Sequence, residues 1–265
     1  MKELVMGELY YLKKDSMTRG LYLLFSIGSL LLVAYFGSLT KFTMDNYIEP
    51  LVTIGQLSLF LYFIIPIHAC FFSSEGFEYG TVKNVIASGK KRSSYIICKY
   101  LLELRLIINW LVLFFGLYYI LYLLGAFVTG AEIGSAGLSG DMLRAFSILF
   151  FNFLYLSAYC AIILMVSVLW RKVSSTVVVT FGLIIGDIML SGNLKDSSSA
   201  ILRMVADNMM IAQVMKFSGI YRSNGMKITI STTNDYIRTA IIPVFIIGIC
   251  LGISLVSFKK RDIHV

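Results

Sequence analysis

The sequence predicts an all-α integral membrane protein with six transmembrane helices, and three observations predict it. The chain of 265 residues is 58% hydrophobic and only 14% charged, where a soluble domain would carry about a quarter charged residues. Its mean hydropathy is +0.81. Several apolar runs reach the roughly 20 residues that a helix needs to cross a bilayer. The alternating segments of about ten residues that mark a membrane β-barrel are not found.

The elements follow in order. Residues 1–18 repeat Leu4, Val5, Leu9 and Leu12 on one helical face, with Lys2, Lys13 and Lys14 near the ends. That pattern predicts a helix lying in the membrane interface. No cleavable signal is expected, because the first apolar run is too long and too leucine-rich and follows a polar segment. The predicted spans are about 21–39, 53–72, 104–128, 143–169, 175–190 and 238–258, within one domain covering residues 1–265. Pro66 removes a backbone donor inside the second span and predicts a kink. Trp170-Arg171-Lys172 predicts a tight basic turn. Residues 191–236 predict an outer insertion between spans 5 and 6. Its apolar positions Ile201, Met204, Val205, Met209 and Ala212 fit an amphipathic helix behind Ser198 or Ser199 as N-cap, and Lys227 to Ser231 alternates like a short strand.

Charge sets the expected orientation. With the N-terminus inside, the inner segments hold Lys2, Lys13, Lys14, Arg19, Lys83, Lys90, Lys91, Arg92, Lys99, Arg171, Lys172, Lys259, Lys260 and Arg261, whereas the two short outer loops hold only Lys41 and Arg144. The positive-inside rule then predicts a multi-pass cell (plasma) membrane protein with both termini cytoplasmic. The net charge of +8 flanks apolar spans, where it meets anionic lipid headgroups of the membrane. No basic stripe with interleaved aromatics points to nucleic acid.

Most catalytic chemistries are excluded by spacing. Cys70, Cys98, Cys160 and Cys250 are far apart, so no CxxC exists, and they read as packing residues. The histidines, His68 and His264, cannot form HExxH. Gly137-Leu138-Ser139-Gly140 resembles a serine-protease elbow but lies in a Gly-rich loop with no base. The string from Asn84 to Lys91 lacks the first Gly and the Ser or Thr of a Walker A loop. The chain is therefore expected to be no enzyme, to carry no catalytic or metal-binding residues, and to need no cofactor. Asp187 is the one carboxylate well inside a span. Such residues are costly, so it is a pathway or gating candidate, with a structural partner or headgroup exposure as the alternative. His68 reads as a structural histidine. Glu103 and Arg105 read as a solvated or mutually compensating cluster opening span 3.

The stretch that stands out is Phe72 to Lys99, a polar segment of about thirty residues where two to six would reverse a helix. Glu75 and Glu78 favour a helix start, and Gly80 and Gly89 can end two short helices before Lys90, Lys91 and Arg92. A helix–break–helix element results, with a plain basic loop on anionic lipid as the alternative.

At these residues the chain resembles ABC-2 type transporter permeases. The pattern is Glu75-x-x-Glu78-x-Gly80-Thr81-x-Lys83, then Ser88-Gly89-x-x-Arg92, then Lys99. It is similar to the small six-span permeases of lantibiotic and peptide export and immunity systems. The resemblance implies that Glu75, Glu78, Gly80, Lys83, Gly89 and Arg92 belong to a cytosolic coupling helix docking on a separate ABC ATPase subunit, which would use the ATP. It also implies pairing with a second copy or a paralogous permease, an N-terminal connecting helix, and an amphipathic peptide as exported substrate. The rival expectation is a non-transporting immunity or sensor protein that binds a peptide at its outer face.

Overall fold

In the computed structural model, which describes residues 2–223, 225–230 and 232–260, the chain is a bundle of helices. They are α1 (Lys2–Lys14), α2 (Ser16–Thr40), α3 (Glu49–Gly55), α4 (Leu61–Glu78), α5 (Thr81–Ala87), α6 (Arg92–Leu111), α7 (Leu117–Thr129), α8 (Leu138–Trp170), α9 (Val173–Leu194), α10 (Ala200–Asn208), α11 (Met210–Phe217) and α12 (Thr233–Lys260). A hairpin of two short strands, β1 (Arg222–Ser223) and β2 (Met226–Lys227), pairs Arg222 with Lys227. Six helical segments are long and apolar enough to cross a membrane: Ser16–Thr40, Ser58–Glu78, Arg92–Thr129, Leu138–Trp170, Val173–Leu194 and Thr233–Lys260. They are consistent with a multi-pass membrane protein.

Burial sorts these segments. The most apolar stretch of α8 is 67% buried and that of the α4 segment 61%, against 22%, 17% and 22% for α2, α9 and α12. Helix α8 is thus the axis, packed by α4, α6, α9 and α12. Its inward face carries Asn152, Tyr155, Leu156, Ala161 and Ile163. The outer three helices turn large apolar side chains such as Leu31, Val178 and Phe245 outward, as a lipid or protein contact requires.

The second span differs from its predicted bounds. The expected helix over 53–72 breaks after Gly55, where α3 ends and a 3-10 turn at Ser58–Phe60 leads into α4. A span that starts at Ser58 needs about 20 residues to cross, so it ends at Glu78. Glu75 and Glu78 therefore close a helix rather than open one. Pro66 sits inside α4 without ending it. The third span starts earlier than expected, at Arg92, and reaches Thr129 through a π-helical turn at Val112–Gly116. Widened turns loosen the backbone ladder. Here the Phe114 carbonyl accepts the Ser29 hydroxyl of α2 at 3.1 Å. The Gly-rich loop is also shorter than expected, since α8 already begins at Leu138 and Ser139 lies in its exposed first turn. Arg171 makes the predicted turn, in a left-handed conformation with φ 56°.

The insertion holds two helices where the pattern suggested one. Met209, with ψ 148°, leaves helical geometry between α10 and α11. Ser199 occupies the N-cap position of α10 without a side-chain cap bond. Of the expected strand, Lys227 lies in β2; Ser231 is outside the described residues, as are the tail residues Arg261 and His264.

Chain position 2 and chain position 260 share one end of the bundle. Lys90 meets Glu3 there, and the Arg92 guanidinium meets the carbonyls of Phe258 and Lys259. The opposite end holds α3, the loop 130–137, α10, α11 and the hairpin. A bend between α1 and α2 is fixed by Asp15, whose carboxylate accepts the Thr18 N–H and hydroxyl, both at 2.7 Å. Burial alone would raise this carboxyl, but the Thr18 hydrogen bonds outweigh it and hold it below its ordinary 3.8. Stabilisation from Asp15 is thus complete above the unfolded value and fades as pH falls through the lower folded one. Replacing Asp15 by Ala should cost about 1 kcal/mol, the usual loss for an N-cap, read as the unfolding midpoint in detergent at neutral pH. An unchanged midpoint would show that the cap does not hold the bend.

Candidate functional site

The α5 end is built around two glycines. Gly80 (φ 73°) stops α4 and Gly89 (φ 80°) stops α5, conformations that cost an L side chain but not glycine. Between them lie the seven residues of α5, a length too short to hold helix alone. Val82 anchors it inward, while Lys83 and Asn84 stay exposed. The predicted breaks at Gly80 and Gly89 are present, but they bound one short helix, α5, and the other expected short helix is the end of α4.

The charged residues of this stretch fasten helices to one another. Glu78 Oε2 accepts the Val173 N–H at 2.6 Å and so caps α9. Glu75 accepts the Tyr11 hydroxyl of α1; burial, then this bond, pushes the Tyr11 phenol above its ordinary value. Lys90 donates to Glu3 at 2.5 Å, which holds the exposed Glu3 carboxyl below its ordinary value. Arg92 donates to the Phe258 carbonyl of α12 at 3.3 Å, a cation set against a helix C-terminus. Lys99 is only 5% exposed. It pairs with Glu8 at 2.8 Å and lies 3.8 Å from the Phe72 ring centroid. Between α1 and α5 these contacts leave a cleft of about 470 Å³. Leu4, Gly7, Tyr79 and Val85 line its apolar part, and Glu3, Glu8 and Glu75 its polar part.

The remaining candidate, Asp187, stands apart from this cleft. Its Oδ2 accepts the Ile211 N–H at 2.8 Å and the Tyr159 hydroxyl at 3.3 Å. A carboxylate on α9 thus caps α11 and ties the insertion to α8.

A buried chain of polar groups escaped the sequence reading. Glu103, expected in a solvated or mutually compensating cluster with Arg105, is 2% exposed, and its Oε1 lies 3.1 Å from His68 Nδ1. His68 Nε2 lies 3.0 Å from Thr18 Oγ1. The single Thr18 hydroxyl proton goes to Asp15, so His68 Nε2 must donate. With the His68–Glu103 contact, the line from Asp15 through Thr18 and His68 to Glu103 is continuous. The Trp110 ring packs edge-on, 4.8 Å from the imidazole. Because α6 begins at Arg92, its buried stripe runs through Tyr95, Lys99, Leu102, Glu103, Leu106 and Trp110. That i, i+3, i+4 spacing was the available signal, and it places Arg105 on the exposed side.

Among the described residues no three His, Cys, Asp or Glu side chains converge to hold a metal ion. Fold and site together define a predominantly helical bundle with six membrane-length helices and a short glycine-bounded helix at one end. The chain matches no known protein-family model, and no curated protein is significantly similar to it.

Two tests follow from these contacts. His68→Leu or Glu103→Leu alone leaves its partner buried and unpaired and should cost more than about 2 kcal/mol. The double replacement should recover part of that loss; strictly additive losses would refute the pair. Asp187→Ala should speed backbone exchange at Ile211 and its neighbours in α11 without altering α5, read by hydrogen–deuterium exchange. Uniform exchange across both ends would refute the cap.

Proposed function

We propose that this chain is the membrane-spanning permease subunit of an ATP-driven ABC transporter of the ABC-2 type. It exports an amphipathic peptide with energy from a separate ATPase subunit. The observation that carries the reading is the glycine-bounded helix α5, which projects an exposed face from one end of the bundle while its neighbours α4 and α6 run into the core. A short helix on a basic surface is a fit partner for a soluble subunit, and the residues flanking it, Glu75 and Glu78 before it and Lys90 and Arg92 after it, tie its two ends to α1, α9 and α12.

In this reading the α5 end is cytosolic, in keeping with its lysines and arginines. Binding of ATP moves the ATPase subunits and, through α5, the helices fastened to it. A second permease copy, identical or paralogous, packs on the weakly buried faces of α2 or α9. The exported peptide passes between the two copies.

Arg92 and Glu78 are poor probes of docking, because each holds another helix of this chain. Lys83 is the better one: it is exposed and has no carboxylate within 4.0 Å among the described residues. Purification from native membranes in mild detergent should recover a stoichiometric partner bearing a Walker A loop. Lys83→Glu should lower that recovery roughly tenfold, the scale of one interfacial charge contact, with an unchanged unfolding midpoint. A protein recovered without an ATPase, yet still protecting cells from a peptide, would overturn the permease reading in favour of an immunity receptor.

A further inference from the structure

The opposite end of the bundle carries a second cavity, of about 60 Å³, where α3, α8, α11, the hairpin and α12 meet. Three cations line it: Arg144, Lys216 and Lys227. Two carboxylates, Asp207 and Asp141, face these three cations, which leaves one positive charge over. Lys216 has Asp207 at 3.1 Å, but that same Oδ1 also accepts the Tyr221 hydroxyl at 3.0 Å. Arg144 reaches Asp141 only at 3.9 Å, and Asp141 already accepts from Asn46 at 2.7 Å. Lys227 has no carboxylate within 4.0 Å among the described residues.

The backbone brings these groups together. After α11 the chain turns through Ser218 and Gly219, the latter at φ 74°. Lys227 Nζ lies 3.5 Å from where a Cβ of Gly219 would stand, so the hairpin lays its ammonium directly on that turn. Ser218 also lines the cavity. It is 3% exposed, and its hydroxyl is buried without a hydrogen-bond partner. Native proteins rarely leave such a group unmet. A surplus of positive charge beside an unused hydroxyl is the chemistry of an oxyanion site.

We propose that this cavity binds a phosphate group, held by Arg144, Lys216 and Lys227. A lipid headgroup and free inorganic phosphate share that chemistry. The surroundings favour the lipid. Met142, Leu143 and Phe146, beside Arg144 on α8, are 65%, 58% and 68% exposed, and Phe146 stacks on Phe150. The cavity takes Arg144, Ser147 and Ile148 from α8, and of the three apolar residues only Leu143, one turn before Ser147, borders it; an acyl chain that passes Leu143 can lie along the exposed strip while its phosphate reaches the cations. Arg144, itself exposed, snorkels at that boundary.

The test uses the purified full chain in detergent, delipidated and then offered phosphatidylglycerol or diacylglycerol, with native mass spectrometry as the readout. One phosphatidylglycerol should be retained per chain and diacylglycerol should not. Millimolar inorganic phosphate should compete. The pair Arg144→Gln with Lys227→Gln should lower retention at least about tenfold, since hydrogen bonds to charged groups each carry energies of that order. Both side chains are on the surface, so the unfolding midpoint without ligand should not move. Ser218→Ala serves as the second variant and should weaken binding less. Stabilisation by inorganic phosphate with no lipid retained would assign the site to free phosphate. Equal retention of both lipids, or equal retention by wild type and the double variant without phosphate stabilisation, would overturn the proposal.

Discussion

Hydrocarbon offers no hydrogen bonds, and this constraint governs the whole bundle. A polar group placed among membrane-length helices gains most from a partner inside the protein. The simplest solution recurs along the chain: Ser26, Ser29, Ser147, Ser157 and Ser254 each donate back to the carbonyl four residues earlier. The costlier solution is to pair across helices. Ser74 bonds Thr176, Asn152 bonds Ser58, and Tyr155 reaches the Thr239 carbonyl. These bonds give the packing direction, since apolar contact alone would allow helices to slide or rotate. The run Asp15, Thr18, His68, Glu103 is the most demanding case. It places three ionisable groups in one line and joins the α1–α2 bend to α4 and α6.

That constraint also explains how much the sequence could reveal. Six helices long and apolar enough to cross were legible because hydropathy over about 20 residues averages out local detail. Gly80 and Gly89 were legible as stops because left-handed backbone has few alternatives to glycine. Glu75 and Glu78 were misread as a helix start because their position depends on where α4 begins, and that start depends on a break after Gly55 that no proline or charge announces. Glu103 was misread for a related reason. Its burial depends on the phase of α6, set by a helix start at Arg92, earlier than hydropathy suggested. Asp187 was visible as an anomaly, but its partner, the Ile211 N–H, comes from a helix joined through an irregular stretch whose path no pattern fixes.

The two ends of the bundle are fastened by different chemistry. At the α5 end the links are side-chain ion pairs and hydrogen bonds between sequence-distant helices: Glu3 with Lys90, Glu8 with Lys99, Tyr11 with Glu75. At the other end backbone takes part more often. Met44 bridges to Ile133 in parallel, the Gly134 N–H reaches the Met44 carbonyl at 2.9 Å, and the Asn46 amide reaches the Ala136 carbonyl at 2.8 Å. Glu8 and Lys99 are nearly buried, but a link to an exposed charge such as Glu3–Lys90 is weak singly and yields to salt or to a competing partner. Backbone links fix geometry. The contrast makes the α5 end the more readily rearranged of the two.

The proposed coupling role draws its force from that contrast. Helix α5 has one buried anchor, Val82, and two glycine joints, so a partner bound to its exposed face could tilt it at small cost. The tilt would not stay local. Glu78, at the end of α4, caps α9; Glu75 and Lys90 hold α1; Arg92 holds the end of α12. Load applied to seven residues is thereby divided between one of the two most buried segments, α4, and two of the most exposed, α9 and α12. A rearrangement that changes the outward faces of α9 and α12 alters whatever packs against them. If that neighbour is a second permease copy, motion at α5 is transmitted to the contact between copies, where the proposed peptide path lies. A plain basic loop gripping lipid would have no need of these ties, because lipid binding asks only for charge at the surface.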